Sequence, residues 1–346
     1  MIKEIGSEFY QEKLTNKNNL DYLNLGEDYK LLMSGRTSID YVLKNINDNI
    51  KIAYLPDYCC ESIITPFIDN GYKIKYYHVF INKNNKISVN INEKEECSVF
   101  FLMNYFGYSE FNIEEYAKKF KERNTIILED ITHSLLSSKN HSIYSDYLIC
   151  SLRKWFPIYT GGLAVNMNSK FTVKIDEYTT DDYLITDKKK AMKLKYDYLF
   201  EQKETKEDYL LLYKKSNDRF KLYENKCIDN ESLEILKKIN INKIINQRVN
   251  NAKNIEKKLA QNKNINTIFK YQEGDCPLFV PIITKNRDNI QKELIKKAIY
   301  CPIHWPNYLN SDNELYDYEL SLVCDHRYSE QEINEYIDVL IKLVGD

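Results

Sequence analysis

Apolar positions along this chain recur with two periods, and the two alternate. Ile39, Val42, Leu43 and Ile46 fall on one helical face behind Ser34-Gly35-Arg36-Thr37, which predicts a helix opened at Ser34. Residues 52–55 read as a short strand ended by Pro56 and Asp57. Residues 60–68 read as a helix closed by Asn70-Gly71. Residues 73–79 alternate as a strand does. The unbroken apolar run 97–103 suits a central strand covered on both faces. An amphipathic helix over 113–123 and strands over 125–128, 147–151 and 162–165 follow. Strands alternating with helices predict an α/β fold, with a mainly parallel sheet carrying helices on both faces.

The remainder is less regular. Residues 1–30 are polar and read as an N-terminal arm. Residues 188–213 look helical and densely charged, and are read as a solvated helix face rather than a binding patch. One or two long helices are expected over 231–262, and a strand over 278–283. A closing helix should span about 330–343, started by the capping-box pair Ser329 and Glu332. The domain change is placed near residue 245. That gives a large domain over 1–245, arm included, and a smaller C-terminal α+β domain over 246–346. No internal repeat or low-complexity linker is visible.

Composition narrows the function classes. The 346 residues are 43% hydrophobic, enough for a sizeable core. Forty-nine basic residues against 51 acidic ones leave a net charge of −2, which recruits neither nucleic acid nor an anionic membrane. None of the 8 cysteines forms a C-x-x-C pair, and most sit in apolar runs, so reduced buried thiols are expected rather than zinc, another metal or disulfides. No signal-like N-terminus and no bilayer-length apolar stretch is seen, so a cytoplasmic protein is expected.

Four segments carry candidate chemistry. Ser34-Gly35-Arg36-Thr37-Ser38 stands at a helix start, where backbone N–H groups and the helix dipole suit a phosphate; it equally suits a plain cap. Leu128-Glu-Asp130-Ile-Thr-His133 follows a buried strand, and Asp130 there reads as a cap, a metal ligand or a cofactor partner. Cys150-Ser151-Leu-Arg-Lys154-Trp155 also follows a buried strand. Trp155 and Phe156 would desolvate the Lys154 amine and leave it a neutral nucleophile; a surface lysine is the plainer reading. Residues 298–306, with His304 and Trp305 between Pro302 and Pro306, read equally as a packed turn or a substrate-facing loop.

Taken in order, these segments resemble the DegT-type sugar aminotransferases among the fold-type-I pyridoxal phosphate enzymes. The likeness is strong over 34–165 and 278–328 and thins over 167–225. Glu129-Asp130-Ile-Thr-His133 resembles the element whose Asp pairs with the pyridine nitrogen and whose Gln or His lies near the ring hydroxyl. Ser151-Leu-Arg-Lys154 resembles the Ser…Lys element, implying that Lys154 binds pyridoxal 5'-phosphate covalently and Ser151 touches its phosphate. Gly35, Arg36 and Thr37 resemble the phosphate cup. Leu55-Pro-Asp-Tyr58 resembles the segment that packs a side chain on the ring. Met103-Asn104-Tyr105-Phe-Gly107 resembles a loop at the site. His304 and Arg327 belong to segments similar to the family's C-terminal domain, and with Asn104 and Tyr105 are the substrate candidates. The resemblance also implies a homodimer with a shared site, in which Asn225 or Lys226 of the partner would reach the phosphate. Two intervening residues between Ser151 and Lys154 mark the family's short form. Tyr159-Thr160 stands where short-form relatives often have Pro-Asp, and Asn104-Tyr-Phe-Gly107 replaces a commoner loop containing His.

The resemblance implies an aminotransferase moving an amino group from glutamate to a nucleotide-linked keto-sugar in cell-surface polysaccharide biosynthesis. A sugar dehydratase with the same cofactor is an alternative; related dehydratases have lost the lysine that stands here as Lys154. A non-catalytic cofactor-binding regulator or partner subunit is another, opposed by intact Asp130, His133, Ser151 and Lys154. No G-x-G-x-x-G follows the first strand, which counts against a dinucleotide-binding module.

Overall fold

The computed structural model describes residues 4–14, 20–203, 205–309, 311 and 313–345. Residues 1–3 and 15–19 of the expected arm therefore lie outside the described residues. The arm opens with strand β1 (Ile5–Gly6), which pairs not with its neighbours but in parallel with a strand near residue 300. Strand β2 (Asp28–Leu32) follows, in a stretch the polar pattern assigns to irregular arm. It is an edge strand, so only Leu32 is buried and the hydrophobic signal is weak. Helix α1 (Gly35–Asn45) is capped as expected: the Thr37 N–H donates to Ser34 Oγ.

Strand β3 (Ile52–Pro56), helix α2 (Glu61–Asp69), strands β4 (Lys73–Ile81), β5 (Ile87–Asn90) and β6 (Val99–Met103), helix α3 (Glu114–Glu122), and strands β7 (Ile126–Asp130), β8 (Tyr147–Cys150) and β9 (Gly162–Asn166) complete the large sheet. All but the short edge strand β5 are legible in the sequence. The strand order is β2-β9-β8-β7-β6-β3-β4-β5. The central neighbours β4, β3, β6, β7 and β8 run parallel; β2, β5 and β9 pair antiparallel with theirs. Both faces of this mixed α/β sheet are covered. Leu148 and Cys150 of β8 point into one core and Ile149 into the other, and Leu163 and Ala164 of β9 divide in the same way. Thr160, of the Tyr159-Thr160 pair, donates its hydroxyl to Asp229, and Asp229 in turn caps a short helix that starts at Asn230.

Helices α4 (Asp182–Tyr196) and α5 (Lys206–Arg219) form a packed pair where one charged helical stretch is expected. The solvated-face reading needs correction. Lys188 and Lys195 are buried and bind the N-terminal arm: Lys188 pairs with Glu8 at 2.9 Å and Lys195 with Glu4 at 2.7 Å. Helices α6 (Asn230–Leu236) and α7 (Ile241–Leu259) follow. Ile244 of α7 packs under the large sheet, whereas Ala252, Ile255 and Leu259 enter a separate core.

Around that core stand β10 (Asn266–Thr267), β11 (Phe279–Ile283), helix α8 (Arg287–Lys296), β12 (Ile299–Tyr300), β13 (Glu319–Val323) and helix α10 (Glu330–Val344), whereas helix α9 (Glu314–Tyr318), just before β13, turns Leu315 and Tyr316 into the large core. β10, β11 and β13 form an antiparallel sheet, and β12 receives β1. Ser329 and Glu332 make both bonds of the capping box that starts α10. No helix among the described residues is long and apolar enough to cross a membrane.

Candidate active site

The site is built at the carboxyl ends of two adjacent parallel strands, where an open α/β sheet leaves a crevice. Asp130 ends β7. Its Oδ1 accepts the Thr132 N–H at 2.8 Å, and Thr132 Oγ1 accepts the Ser151 N–H at 2.9 Å, so Thr132 ties the ends of β7 and β8 together. Trp155 Nε1 secures the same residue by donating to its carbonyl at 2.7 Å. Burial raises the Asp130 pKa, while the hydrogen bonds from Thr132 and the nearby Lys154 pull it back. Glu129 points to the opposite side, where its Oε2 accepts from Ser142 N and Ser145 Oγ at 2.8 and 2.5 Å; burial pushes its pKa to about 7. Of the two acids, only Asp130 lines the cavity.

Lys154 ends a short 3-10 turn after β8, and its Nζ lies 3.3 Å from His133 Nε2. His133 is buried, and desolvation holds its pKa well below the usual value, so the ring is neutral. Its Nδ1 accepts the Phe106 N–H at 3.1 Å, which leaves the ring proton on Nε2, facing Lys154. Trp155 and Phe156 do not enclose the amine as expected. Both are fully buried in the core beneath, while Lys154 stays open to the cavities.

Two cavities meet at Ser151, Arg153 and Lys154. The smaller, of about 260 Å³, is lined by Asp130, Thr132, Met103 and Trp305 toward one end and by Ser34, Gly35, Arg36 and Phe220 toward the other. A Cβ on Gly35 would come within 3.2 Å of Ser151 Cβ, so a glycine lets α1 begin against Ser151. The α1 N-terminus supplies positive potential there. Arg36 and Arg153 each leave a buried Nε without a hydrogen-bond partner. An anion between such donors satisfies them, and the buried acid at the far end suits a ring nitrogen that must stay protonated. The residues present fit a phosphorylated pyridine.

The larger cavity, of about 610 Å³, lies between the sheet and the small core and is in the size range of small-molecule sites. His304 lines it. Its Nδ1 lies 2.7 Å from Ser321 Oγ, Ser321 donates to Glu319 Oε1 at 2.5 Å, and Glu319 Oε2 accepts the His304 N–H at 2.8 Å. Alternation along β13 turns Leu320 and Leu322 into the small core and Glu319 and Ser321 toward His304. Because Glu319 and Ser321 are polar, β13 shows no unbroken apolar run although all five of its residues are buried.

Arg327 lines the larger cavity too, but its guanidinium is engaged. Nη2 pairs with Asp325 Oδ2 at 2.9 Å and donates to the Ser7 carbonyl, and Nη1 donates to the Glu8 carbonyl, both at 3.2 Å. These bonds tie it to the arm, and its Nε is buried without a partner.

Gly35, Arg36, Asp130, Ser151 and Lys154 thus come together around one cavity, with His133 bonded to Lys154. Thr37 is buried and lines neither cavity; it acts on Ser34, to which it donates through its N–H. Tyr58 is displaced from the place the resemblance implies. It is fully buried behind Trp305, 5.0 Å between ring centroids, and Trp305 instead lines the cavity and stacks on His133. Tyr105 is likewise buried and donates to the Tyr58 carbonyl at 2.6 Å. Asn104 lines a separate cavity of about 580 Å³, which shares Met103 with the smaller one. Within this chain, Asn225 accepts from Lys44 and Lys226 donates to Thr179. Arg153, Thr132 and Trp305 are the lining residues missed inside quoted segments. Phe220 and Glu8 lie outside any motif, whereas Ser321 stands inside the segment 320–328 that resembles the family's C-terminal domain.

No family model matches the chain, and no curated relative matches it. Solved structures do. A DegT DnrJ EryC1 StrS aminotransferase from Brucella abortus superposes with a TM-score of 0.64 at 15% identity, covering 94% of this chain and 88% of that one. The fold is that of the DegT-type aminotransferases. Helicobacter pylori PseC, an aminotransferase involved in the biosynthesis of pseudoaminic acid, also gives a TM-score of 0.64 at 15% identity, over 99% of both chains. A sugar aminotransferase from Micromonospora echinospora gives 0.60 at 11% identity, over 91% and 87%.

Proposed function

We propose that this chain is a pyridoxal phosphate-dependent aminotransferase that moves an amino group from glutamate to a nucleotide-linked keto-sugar, in the making of cell-surface polysaccharide. The observation that carries this reading is the Lys154 amine at 3.3 Å from a neutral His133, one strand away from the buried carboxyl of Asp130. The cofactor, when bound, supplies an electron sink for the carbanion formed at the amine-bearing carbon.

The chain's own residues do the rest. Asp130 holds a proton on the ring nitrogen, and its burial makes that charge pair strong. The Lys154 amine would hold the cofactor covalently and, when free, would move the proton as a general base. The His133 Nε2–H donates to an oxygen placed beside Lys154. Gly35, Arg36 and Ser151 receive the phosphate. The larger cavity admits donor and acceptor in turn, with His304 in its wall. The test incubates loaded protein with L-glutamate and a panel of nucleotide keto-sugars, and follows 2-oxoglutarate release and the aminated sugar by mass spectrometry. Product from one nucleotide keto-sugar supports the reading. Transfer to simple 2-oxo acids alone overturns the sugar assignment.

A further inference from the structure

Behind His304 lies a closed polar chain that no step described above uses. Glu319 and Ser321 of β13 are fully buried, and neither lines the larger cavity. Three contacts close the chain: the His304 N–H on Glu319 Oε2, Ser321 Oγ on Glu319 Oε1, and Ser321 Oγ on His304 Nδ1. Oε2 is taken by the backbone N–H, so a proton on the carboxyl sits on Oε1, against Ser321. A hydroxyl donates its one hydrogen and accepts another, so the proton at Glu319 decides the direction of both remaining bonds. With Glu319 ionised, Ser321 donates to Oε1 and its oxygen accepts from His304 Nδ1–H, which leaves Nε2 bare. With Glu319 protonated, Oε1–H donates to Ser321, Ser321 donates to Nδ1, and the ring hydrogen stands on Nε2. Nε2 has no partner among the described residues and is not shut away from solvent, so it opens onto the larger cavity that His304 lines. Burial and the Lys154 charge hold the His304 pKa well below its usual value, and the adjacent His133 is neutral as well. Around the carboxyl, Arg287 of α8 donates to the Glu319 carbonyl at 2.7 Å and favours the ionised form, while Tyr58 and Cys301 face it with groups whose pKa burial raises. Glu319 itself is raised by burial to about 8.

We propose that Glu319, acting through Ser321, sets which ring nitrogen of His304 carries the hydrogen, so that His304 offers the larger cavity a hydrogen-bond donor while Glu319 is protonated and an acceptor once Glu319 is ionised. Glu319 and Ser321 are positioning residues, and His304 is the group that meets the ligand. The relay stands on the bonds of this chain alone; its consequence for the substrate rests on the function reading above. A keto oxygen accepts and cannot donate, so His304 holds a keto-sugar best while Nε2 carries the hydrogen. Binding of the amino acceptor then weakens as pH rises through the Glu319 transition, although His304 stays neutral throughout.

The test uses the full chain carrying isotope-labelled histidine, whose ring nitrogens give distinct NMR signals with and without a bound hydrogen. The chain has 5 histidines, and His304→Gln identifies the signals that belong to His304. Spectra are taken well below and well above about pH 8. Neutral His304 is expected to carry its hydrogen on Nε2 at the lower pH and on Nδ1 at the higher. Glu319→Gln is expected to keep Nε2–H throughout, because its amide oxygen accepts the His304 N–H and its NH2 donates to Ser321 as a protonated carboxyl does. Ser321→Ala breaks the relay without touching the carboxyl, and must also abolish the change. One tautomer at every pH in the unaltered chain overturns the proposal, as does a change that persists in either variant. With a nucleotide keto-sugar as acceptor, the apparent KM should rise about fivefold to tenfold over the same pH change in the unaltered chain, the worth of one hydrogen bond, and hold level in Glu319→Gln. An equal rise in both proteins overturns the link between the relay and the acceptor. If the tautomer changes as described but no keto-sugar is aminated, the function reading fails while the relay stands.

Discussion

The two ends of the smaller cavity are made in opposite ways. Asp130, Thr132, His133 and Lys154 stand at the ends of two neighbouring strands or just beyond them, and the bonds that tie them together span fewer than about two dozen positions. The phosphate end and the floor of the larger cavity are joined across the whole chain. Arg36 meets Phe220 over 184 positions, Lys188 meets Glu8 over 180, and Arg327 meets the Glu8 carbonyl over 319. The chemistry is placed by local sequence, whereas the walls depend on how distant segments dock. Substitutions at the first end should therefore change reaction rate with little effect on folding, and substitutions at the second should change stability or affinity.

Asp130→Asn gives the largest expected effect. The amide still accepts the Thr132 N–H, so the fold and much of the bound cofactor should persist. It cannot hold a proton on the ring nitrogen. Half-reaction rates with glutamate, read by stopped-flow absorbance, should fall by roughly 10²–10⁴-fold. A rate within a few-fold of the unaltered chain would show Asp130 to be a strand-end cap.

Lys195→Met probes the other region. The Glu4 and Lys195 side chains are 2% and 1% exposed. Burial would raise the Glu4 pKa, but Lys195 and Lys206 hold it below its usual value, so it is charged at neutral pH. Removing Lys195 leaves that charge to Lys206 alone, at 2.9 Å. Urea unfolding should show a loss of about 3 kcal/mol, the lower end for a broken buried pair. A change under about 0.5 kcal/mol would mean that the Glu4–Lys195 pair contributes nothing to the fold.

The smallest effects lie at the junction of the two regions. His304→Ala should spare the cofactor's absorbance and raise the apparent KM for the sugar; loss of fold and cofactor together would make His304 a core residue. Behind it, burial raises Glu319 to about 8, offset in part by Ser321, the His304 N–H and Arg287. A carboxyl raised from an unfolded value near 4.3 favours the fold fully below that pH, and its contribution is lost as pH rises through about 8. The slope is at most about 1.4 kcal/mol per pH unit. Glu319→Gln should flatten the stability curve between those limits, as read by denaturant titrations at several pH values. Parallel curves for the two proteins would contradict a neutral buried Glu319.

What was legible follows the same division. The Glu129-Asp130…His133 and Ser151…Lys154 segments were readable because their chemistry sits directly after buried apolar strands, and strand plus turn is local information. Strand β13 was hidden because Glu319 and Ser321 occupy buried positions to serve His304. Strand β2 was hidden because an edge strand needs little apolar surface. Lys188 and Lys195 look in the sequence like solvated lysines, since nothing local shows that Glu8 and Glu4 will dock on them. The resemblance places Tyr58 on the ring, but the aromatic packing behind the cavity takes it in, and Trp305 lines the cavity instead.

The central claim is that Lys154 is the residue that carries the cofactor. Purified chain is loaded with pyridoxal phosphate, reduced with borohydride, digested and mapped by mass spectrometry. The account predicts a visible absorbance band that reduction abolishes, and one pyridoxyl-labelled peptide modified at Lys154. A label on another lysine, or a colourless chain that takes up no cofactor, would contradict it.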